Sequence, residues 1–289
     1  MLKLFVDSDS DVVPSELKEL DIKMISMPYI IDGVTYFPFK DSEEFDYKAF
    51  YDLLRKGVMP STCALSPLDY IDYFEPVFKN GDDIIYVHFS TAMTGTFNAM
   101  NIALQELKEK YPERKFWEVD LKGITINAYI QVLEAIDLYK AGKSGPEMVE
   151  ALEAEVDHWA TYFYASDLRF FARSGRVSNF KAIMGTIIGL HPILNMAATG
   201  MMGSVDKARG RKGTLLKIVD YMKKLGDDVQ GHRIVIGHSD AMDEVNELMG
   251  YIKKEYGDNL DIKIVSVNPT AGSHCGPGNV GVAFHAKQR

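Results

Sequence analysis

Short apolar runs alternate along this chain with longer segments whose apolar residues recur at helical spacing. Residues 2–6 and 83–88 are apolar runs typical of buried strands. Residues 95–110 follow the second run and have the amphipathic pattern of a long helix. Strands that alternate with helices indicate βαβ units, so we predict an α/β fold with a mainly parallel sheet in the N-terminal part.

The same patterns assign elements to the rest of the chain. Asp32-Gly33 between apolar segments predicts a hairpin, and Pro14 predicts a helix start capped by a preceding Ser or Asp. Further strands are predicted at 23–31, 34–37, 116–119, 159–165, 191–196, 201–208, 233–237, 262–267 and 280–284. Helices are predicted at 45–55, 67–79, 125–141, 145–158, 180–190, 213–225 and 245–256, with a polar loop through Gly175. We divide the chain into two α/β domains, residues 1–158 and 159–289.

Composition narrows the class of protein. The chain has 289 residues, 46% apolar and 25% charged, as expected for a globular protein of one or two domains. Its net charge is -9, its pI is about 5.3 and it has no extended basic run, so nucleic-acid binding is not expected. We expect no signal peptide and no transmembrane segment, since no apolar run approaches roughly 20 residues. Cys63 and Cys275 lack zinc spacing and do not suggest a disulfide framework, which favours the cytoplasm.

A glycine-rich segment near the C-terminus carries the histidine of greatest interest. Residues 272–281 contain four glycines and Pro277, and they precede an apolar strand. Such backbone chemistry predicts a tight loop that presents His274 to a small anionic group. The alternative is a Gly-Pro turn that only reverses the chain.

A hydroxyl-containing loop is predicted at residues 59–67. Ser66 and Pro67 form a helix N-cap pair, which explains both residues structurally. The hydroxyls of Ser61 and Thr62 either donate to an anion or satisfy the loop backbone.

A second hydroxyl-rich loop, residues 90–96, follows a predicted strand and leads into a helix. It contains Ser90, Thr94 and Gly95. This position in an open α/β sheet favours an anion, because backbone N–H groups and the helix dipole point at it. Thr94 can also serve simply as the N-cap of the helix.

Two arginine-containing segments complete the candidate chemistry. Arg176 can clamp a carboxylate or phosphate, or pair with an acidic side chain of the protein. Residues 207–212 include Arg209 and Arg211 and form a basic patch on an acidic chain. This patch is either a solvated turn or a docking site for an acidic partner.

Metal and nucleophilic chemistry fit the sequence poorly. The series Asp7, Asp9, Asp11 lacks the glycine and distal glutamate of an EF-hand loop. Neither a Gly-x-Ser-x-Gly elbow nor a dinucleotide fingerprint after the first strand is present. Cys63 or Cys275 could form a thiol site with a histidine, but no third, orienting residue is identifiable.

Taken in order, these segments resemble the DegV family, the bacterial fatty-acid-binding proteins that serve fatty acid kinase. The family's closing motif His-x-Gly-Pro-Gly-x-x-Gly is matched in full by residues 274–281. Five further features of the family have similar counterparts in this chain. The opening strand with its Asp-Ser turn corresponds to residues 5–8, and the two hydroxyl loops correspond to residues 61–67 and 90–96. The Gly-Gly-Arg-Ile turn corresponds to residues 174–177, and the Lys-Pro-Ile-Leu strand to residues 191–194.

The resemblance implies two α/β domains with an apolar lipid tunnel between them. It implies a carrier without catalysis of its own and without a cofactor, which presents a bound long-chain fatty acid to fatty acid kinase and carries the acyl phosphate. It assigns the carboxylate of the acid to Thr62, Thr94 and His274. The remaining implied positions are Ser61, Ser90, Arg176 and Gly95 near the head group, and Arg209 and Arg211 for docking the kinase.

The chain departs from the family pattern at three places. Residues 63–65 read Cys-Ala-Leu instead of Ser-Gln-Pro, which makes this loop less polar and less rigid. Thr94 stands where serine is usual, so the hydroxyl is kept and a methyl group is added. His191 replaces the usual lysine.

Composition agrees with a lipid site, and one other function stays open. The chain has 14 Met, 15 Phe and 15 Tyr, which supply adaptable apolar surface for a tunnel. Segment 180–190 is apolar over most of its helical circumference, as a helix between core and ligand would be. A carrier of this kind would contact membranes transiently. The alternative function is a small-molecule hydrolase or transferase that uses His274 or Cys275.

Overall fold

The computed structural model describes residues 1–40, 42–178 and 189–289, in which strands and helices alternate as the sequence predicts. The strands are β1 Leu2–Asp7, β2 Lys23–Ile25, β3 Tyr29–Ile31, β4 Val34–Tyr36, β5 Ser61–Thr62, β6 Asp83–His88, β7 Phe116–Asp120, β8 Trp159–Tyr164, β9 Val177–Ser178, β10 Leu190–Met196, β11 Met202–Arg209, β12 Ile234–His238, β13 Ile262–Ser266 and β14 Val280–His285. The α-helices are α1 Pro14–Leu17, α2 Tyr47–Arg55, α3 Pro67–Lys79, α4 Thr96–Lys110, α5 Ile126–Lys140, α6 Gly145–Glu155, α7 Leu168–Ser174, α8 Gly210–Leu225, α9 Met242–Tyr256 and α10 Pro269–Cys275.

The first sheet confirms the predicted parallel sheet of the N-terminal part. Its four strands run parallel in the order β2-β1-β6-β7. Alternate residues of β1 face opposite sides of this sheet, as in any strand. Leu4 and Val6 pack with Tyr129 of α5, whereas Phe5 packs with Phe74 of α3 on the other side.

The second sheet has seven strands of mixed direction, in the order β13-β12-β14-β8-β10-β11-β9. One face is covered by α8 and α9, through Ile218 and Leu248, which share a cluster with Phe284. The other face contributes Val235 and Ala283 to the cluster that contains α5 and the first sheet. Helix α5 therefore lies between the two sheets and joins their cores.

A small antiparallel sheet, β4-β3-β5, lies beside the first sheet. The hairpin between β3 and β4 is confirmed, since Asp32 and Gly33 have the positive φ angles of 51° and 80° that such a turn needs. Two predictions were wrong here. The predicted strand 23–31 is two strands, because β2 joins the parallel sheet and β3 joins this one. The predicted loop 59–67 contains β5, in which Thr62 pairs with Tyr29.

Two segments predicted as loops form short helices. The polar segment before Gly175 contains α7, whose N-cap Asp167 accepts a hydrogen bond from the Arg169 N–H. The predicted loop around His274 is the end of α10, in which Asn268 is the N-cap and Pro269 the first residue. Both loop predictions were wrong because the residue types that are typical of loops also start and end helices.

Other differences are smaller. Helix α8 starts at Gly210 instead of residue 213, and α1 has Val13 as its N-cap, with no side-chain cap. Of the helix predicted at 180–190, residues 180–188 lie outside the described residues, and Leu190 already begins β10. The boundary at residue 158 stays a prediction, although Trp159 begins β8 of the second sheet. No helix within the described ranges is long and apolar enough to cross a membrane.

Candidate functional site

A cavity lies between the carboxyl end of the parallel sheet, next to Phe89, and the seven-stranded sheet, which contributes Phe163 and Val280. Its empty space, counted together with the open solvent at its mouth, is about 1020 Å³. Residues from both halves of the chain form its apolar wall. They are Met27, Phe89, Met93, Ile124, Ile126, Phe163, Phe171, Met196, Met202, Val267, Ala271 and Val280.

Burial distinguishes the mouth of the cavity from its interior. At one part of the wall Cys63 is exposed, and Thr62 and His274 are half-buried. At other parts, Asp9 and Thr161 are buried, with 4% and 2% of their surface exposed. The cavity therefore opens beside Thr62, Cys63 and His274, and it is closed off elsewhere by a mostly apolar wall that includes the buried polar residues Asp9 and Thr161.

Thr62 and His274 meet at the mouth although 212 residues separate them in the chain. Thr62 Oγ1 lies 2.8 Å from Nε2 of His274. The pairing of β5 with β3 places Thr62, and a contact between the chain halves places α10. In that contact the Asp11 carboxyl accepts hydrogen bonds of 2.8 Å from both the backbone N–H and the side-chain amide of Asn268.

The imidazole of His274 is neutral at neutral pH. Burial, followed by the nearby positive charges of Arg176 and Arg173, lowers the pKa of His274 to about 4. One ring nitrogen therefore carries a hydrogen and the other can accept one. His274 can donate a hydrogen bond at the mouth without bringing a charge of its own.

Thr94 lines the same cavity and is bonded to the start of α4. Its Oγ1 accepts a hydrogen bond of 3.1 Å from the backbone N–H of Thr96. The hydroxyl proton remains able to donate into the cavity. The prediction that Thr94 is the N-cap was wrong, since Gly95 is the N-cap residue and α4 has no side-chain cap. Thr94 instead bonds the first residue of α4 and lines the cavity.

Three of the residues expected near the head group are placed elsewhere. Ser90 is buried, and its Oγ donates to the carbonyl of Gly200 at 2.8 Å, so its proton is already committed. Ser61 is exposed on β5, and Gly95 is the N-cap residue of α4. None of the three is part of the cavity wall as described. We therefore revise the predicted head-group surroundings to exclude them.

Arg176 lies in the cavity wall, and its partners are backbone carbonyls. Its Nε donates to the carbonyl of Met93 at 3.3 Å, and its Nη1 donates to the carbonyl of Ser174. Within the described part of the chain its side-chain hydrogen bonds go to these two carbonyls and not to a carboxylate. Arg176 therefore brings a positive charge to this part of the cavity wall, near the buried carboxyl of Asp9, whose raised pKa disfavours its charged form. This positive charge favours an anion in the cavity.

Arg173 has a positioning role that the sequence analysis did not assign. Its guanidinium donates to the carbonyls of Met59, at 2.9 Å, and Pro60, directly before β5. It thereby ties α7 to the strand that carries Thr62. The sequence carries no signal for this role, because both contacts are to backbone carbonyls more than 110 positions away.

The two cysteines are poor nucleophiles in this environment. Cys275 lines the cavity, but burial and the nearby Asp11 raise the pKa of its thiol to about 12. Burial also raises the pKa of Cys63, with Asp69 adding to the effect. A thiolate is the reactive form of cysteine, and neither side chain favours it at neutral pH.

The aspartates that follow β1 are buried parts of the fold. Burial raises the pKa of Asp7 and of Asp11 to about 7. Hydrogen bonds from the backbone N–H of Phe89 to Asp7 and from Asn268 to Asp11 partly oppose this shift. Asp9 is in the cavity wall, a position that the sequence did not predict, because this series was interpreted as a helix-capping polar turn or as a poor metal loop. Across the described residues, no three His, Cys, Asp or Glu side chains are arranged to hold a metal ion.

The basic segment is exposed, but its two arginines differ. Arg211 lies 3.2 Å from Glu244 and 2.9 Å from Glu247, so its charge is offset. Arg209 ends β11 with an exposed side chain and has no ion-pair partner in the described parts of the chain. The predicted turn is in fact the end of β11 followed directly by α8.

Comparison with known proteins agrees with this fold over the whole chain. The model of the uncharacterised DegV family matches residues 1–287. A DegV domain-containing protein of Clostridium perfringens is 33% identical over 281 residues, which cover 97% of this chain and 96% of that protein.

Solved structures give the same architecture. A DegV family protein from Thermus thermophilus, described as binding fatty acid, has a TM-score of 0.86 at 24% identity and 99% coverage of both chains. One from Eubacterium eligens, loaded with heptadecanoic acid, has a TM-score of 0.84 at 21% identity and covers 99% of this chain and 100% of its own. At these identities the likeness shows the fold. Together with the match of the family model over residues 1–287, it establishes that this chain belongs to the DegV family.

Proposed function

We propose that this protein binds a long-chain fatty acid, with the acyl chain in the cavity and the carboxylate at Thr62, Thr94 and His274. The main support for this proposal is the hydrogen-bonded pair of Thr62 and His274 at the mouth of a mostly apolar cavity. The fatty acids bound by the relatives from Thermus thermophilus and Eubacterium eligens support it.

The hydrogen bonds leave suitable donors for a carboxylate. When Nε2 of the neutral His274 carries the hydrogen, it donates to Thr62 Oγ1, and the Thr62 hydroxyl is left to donate to the acid. Thr94 accepts from the Thr96 N–H and keeps its own proton for the same purpose. Arg176 adds a positive charge in the cavity wall. Together these groups offset the cost of removing an anion from water.

The acyl chain would supply most of the affinity. Each buried methylene group contributes about 0.8 kcal/mol, and the wall offers Met, Phe, Ile and Val side chains along the interior. Methionine side chains adapt to the shape of a flexible chain. The head-group residues would then select a carboxylate among apolar ligands of similar size.

A carrier role fits this chemistry better than a hydrolase or transferase. The high pKa of Cys275 disfavours a thiolate, and the low pKa of His274 makes it a weak general base. We propose that the protein presents its fatty acid to a fatty acid kinase and carries the acyl phosphate formed there. It would act in the cytoplasm and exchange the acid in transient contact with membranes.

Mass spectrometry tests the binding proposal. Protein purified without added lipid and extracted under denaturing conditions is expected to release about one equivalent of fatty acid. A catalytic role would instead show an empty cavity together with turnover on a panel of esters and phosphates. That result would overturn the carrier proposal.

The kinase partnership makes a prediction that distinguishes two neighbouring arginines. We expect Arg209→Ala to slow formation of acyl phosphate by the kinase, most strongly at low salt, because its exposed charge is free for an acidic partner. Arg211→Ala should have a smaller effect, since Glu244 and Glu247 already hold that side chain.

The assay measures acyl phosphate formation at two salt concentrations, with fatty acid affinity as the control that both variants should leave unchanged. Equal rates for both variants and the unmodified protein would contradict docking through this segment.

A further inference from the structure

The interior of the cavity contains one carboxyl group that the proposed head-group site does not use. Asp9 lines the cavity and is 4% exposed. Its Oδ1 is buried and has no hydrogen-bond partner among the described residues. A buried polar atom without a partner costs about 1–3 kcal/mol, so its persistence in an apolar wall suggests a partner on the ligand.

A second polar residue is fixed next to Asp9. The backbone N–H of Thr125 donates to the carbonyl of Asp9 at 2.7 Å, and both residues line the cavity. Thr125 has a φ of 52° at the start of α5, a conformation that a β-branched residue rarely adopts. Strain of this kind is retained mainly where surrounding structure or function requires it.

Charge decides what this pair can bind. Burial, with the nearby carboxyls of Asp7 and Asp11, raises the pKa of Asp9 well above the usual value for aspartate, and Arg176 opposes this only partly. The protonated carboxyl is therefore favoured, and it can both donate and accept a hydrogen bond. A second carboxylate on the ligand would have to stay charged in the same buried surroundings that raise the pKa of Asp9, so it is disfavoured. An ammonium group would require Asp9 to ionise while buried.

We propose that Asp9 and Thr125 form a second polar subsite inside the cavity, for an uncharged oxygen substituent on the acyl chain. The ligand class is hydroxy or oxo fatty acids. The proposal rests on the proposed function, because it assumes that the carboxylate of the same acid is held at the mouth. A saturated chain would leave the Asp9 carboxyl against methylene groups, whereas a hydroxyl or keto oxygen would satisfy it.

The test compares the affinity of purified, delipidated protein for stearic acid with that for hydroxystearic acids that differ only in hydroxyl position. At least one position should bind about tenfold more tightly than stearic acid, the value of one hydrogen bond to a buried group. In Asp9→Leu this preference should be lost while stearic acid binds at least as well as before. Asp9→Asn keeps a donor and an acceptor of similar shape and should retain part of the preference.

The outcomes separate this inference from the proposed function. Tight binding of stearic acid without preference for any hydroxyl position would overturn the subsite and leave the fatty acid site standing. A preference that survives in Asp9→Leu would also overturn it. Binding of neither stearic acid nor any hydroxystearic acid would overturn both. If Asp9→Leu does not fold, a crystal structure of the unmodified protein with the preferred hydroxystearic acid tests the inference instead. The hydroxyl oxygen of the acid must lie within hydrogen-bond distance of the Asp9 carboxyl, and a greater distance would overturn the subsite.

Discussion

Gly276→Ala is expected to destabilise the folded protein by about 3 kcal/mol or more, through backbone strain and a steric clash together. Gly276 ends α10 with a φ of 72° and a ψ of -177°, a combination that is essentially restricted to glycine. A Cβ atom there would lie 2.3 Å from a ring carbon of Phe170, whose side chain is buried. Because the residue follows the helix end that carries His274, any relaxation would also move the imidazole.

Chemical or thermal unfolding measures this effect, and Gly250→Ala is a matched control. Gly250 lies inside α9, and a Cβ atom there would meet no atom of the described residues within 4 Å. That substitution should stabilise the protein by about 0.5–1 kcal/mol, because alanine has a higher helix propensity than glycine. Equal stability of Gly276→Ala and the unmodified protein would show that the end of α10 is not constrained as described.

Thr62→Val and Thr94→Val should each weaken fatty acid binding by about 1.5–3 kcal/mol, the range for a hydrogen bond to a charged group. Valine keeps the shape of threonine and removes the donor. In Thr62→Val, the Nε2 atom of His274 also loses its partner at 2.8 Å. The two substitutions share one ligand group, so their effects should not be additive.

Direct titration with a fluorescent or radiolabelled fatty acid measures both variants against Ser61→Ala. Ser61 is the neighbour of Thr62 in β5, but it is exposed and not part of the described cavity wall. Its removal should leave affinity unchanged. If Thr94→Val also leaves affinity unchanged, Thr94 does not belong to the carboxylate site.

Much of the fold could be predicted from the sequence because local patterns determine it. The Pro67 start of α3 follows its Ser66 cap, and the Asp32-Gly33 turn has the backbone angles that its residue types favour. The alternation of strand and helix then leads to the parallel sheet. The mixed strand directions of the second sheet could not be predicted, because the pairing of distant strands leaves no local pattern in a single sequence.

The candidate site was predictable only in part. The glycine-rich segment indicated His274 and the two hydroxyl loops offered candidate donors, but only the resemblance to the DegV family singled out Thr62 and Thr94 among them. Ser90 has the same chemistry but uses its proton on Gly200, a residue 110 positions away. Likewise, Asp9 reads as part of a polar turn, and only the packing of α5 beside it makes it part of the cavity wall. Contacts between distant segments thus decide which polar residues face the cavity.

A crystal structure of the protein with its bound fatty acid tests the central claim most directly. We predict that the carboxylate oxygens lie within about 2.7–3.2 Å of the hydroxyls of Thr62 and Thr94, with His274 bonded to Thr62 and the acyl chain between the two sheets. A carboxylate beyond hydrogen-bond or single-water reach of all three side chains, or a lipid outside the cavity, would contradict the account.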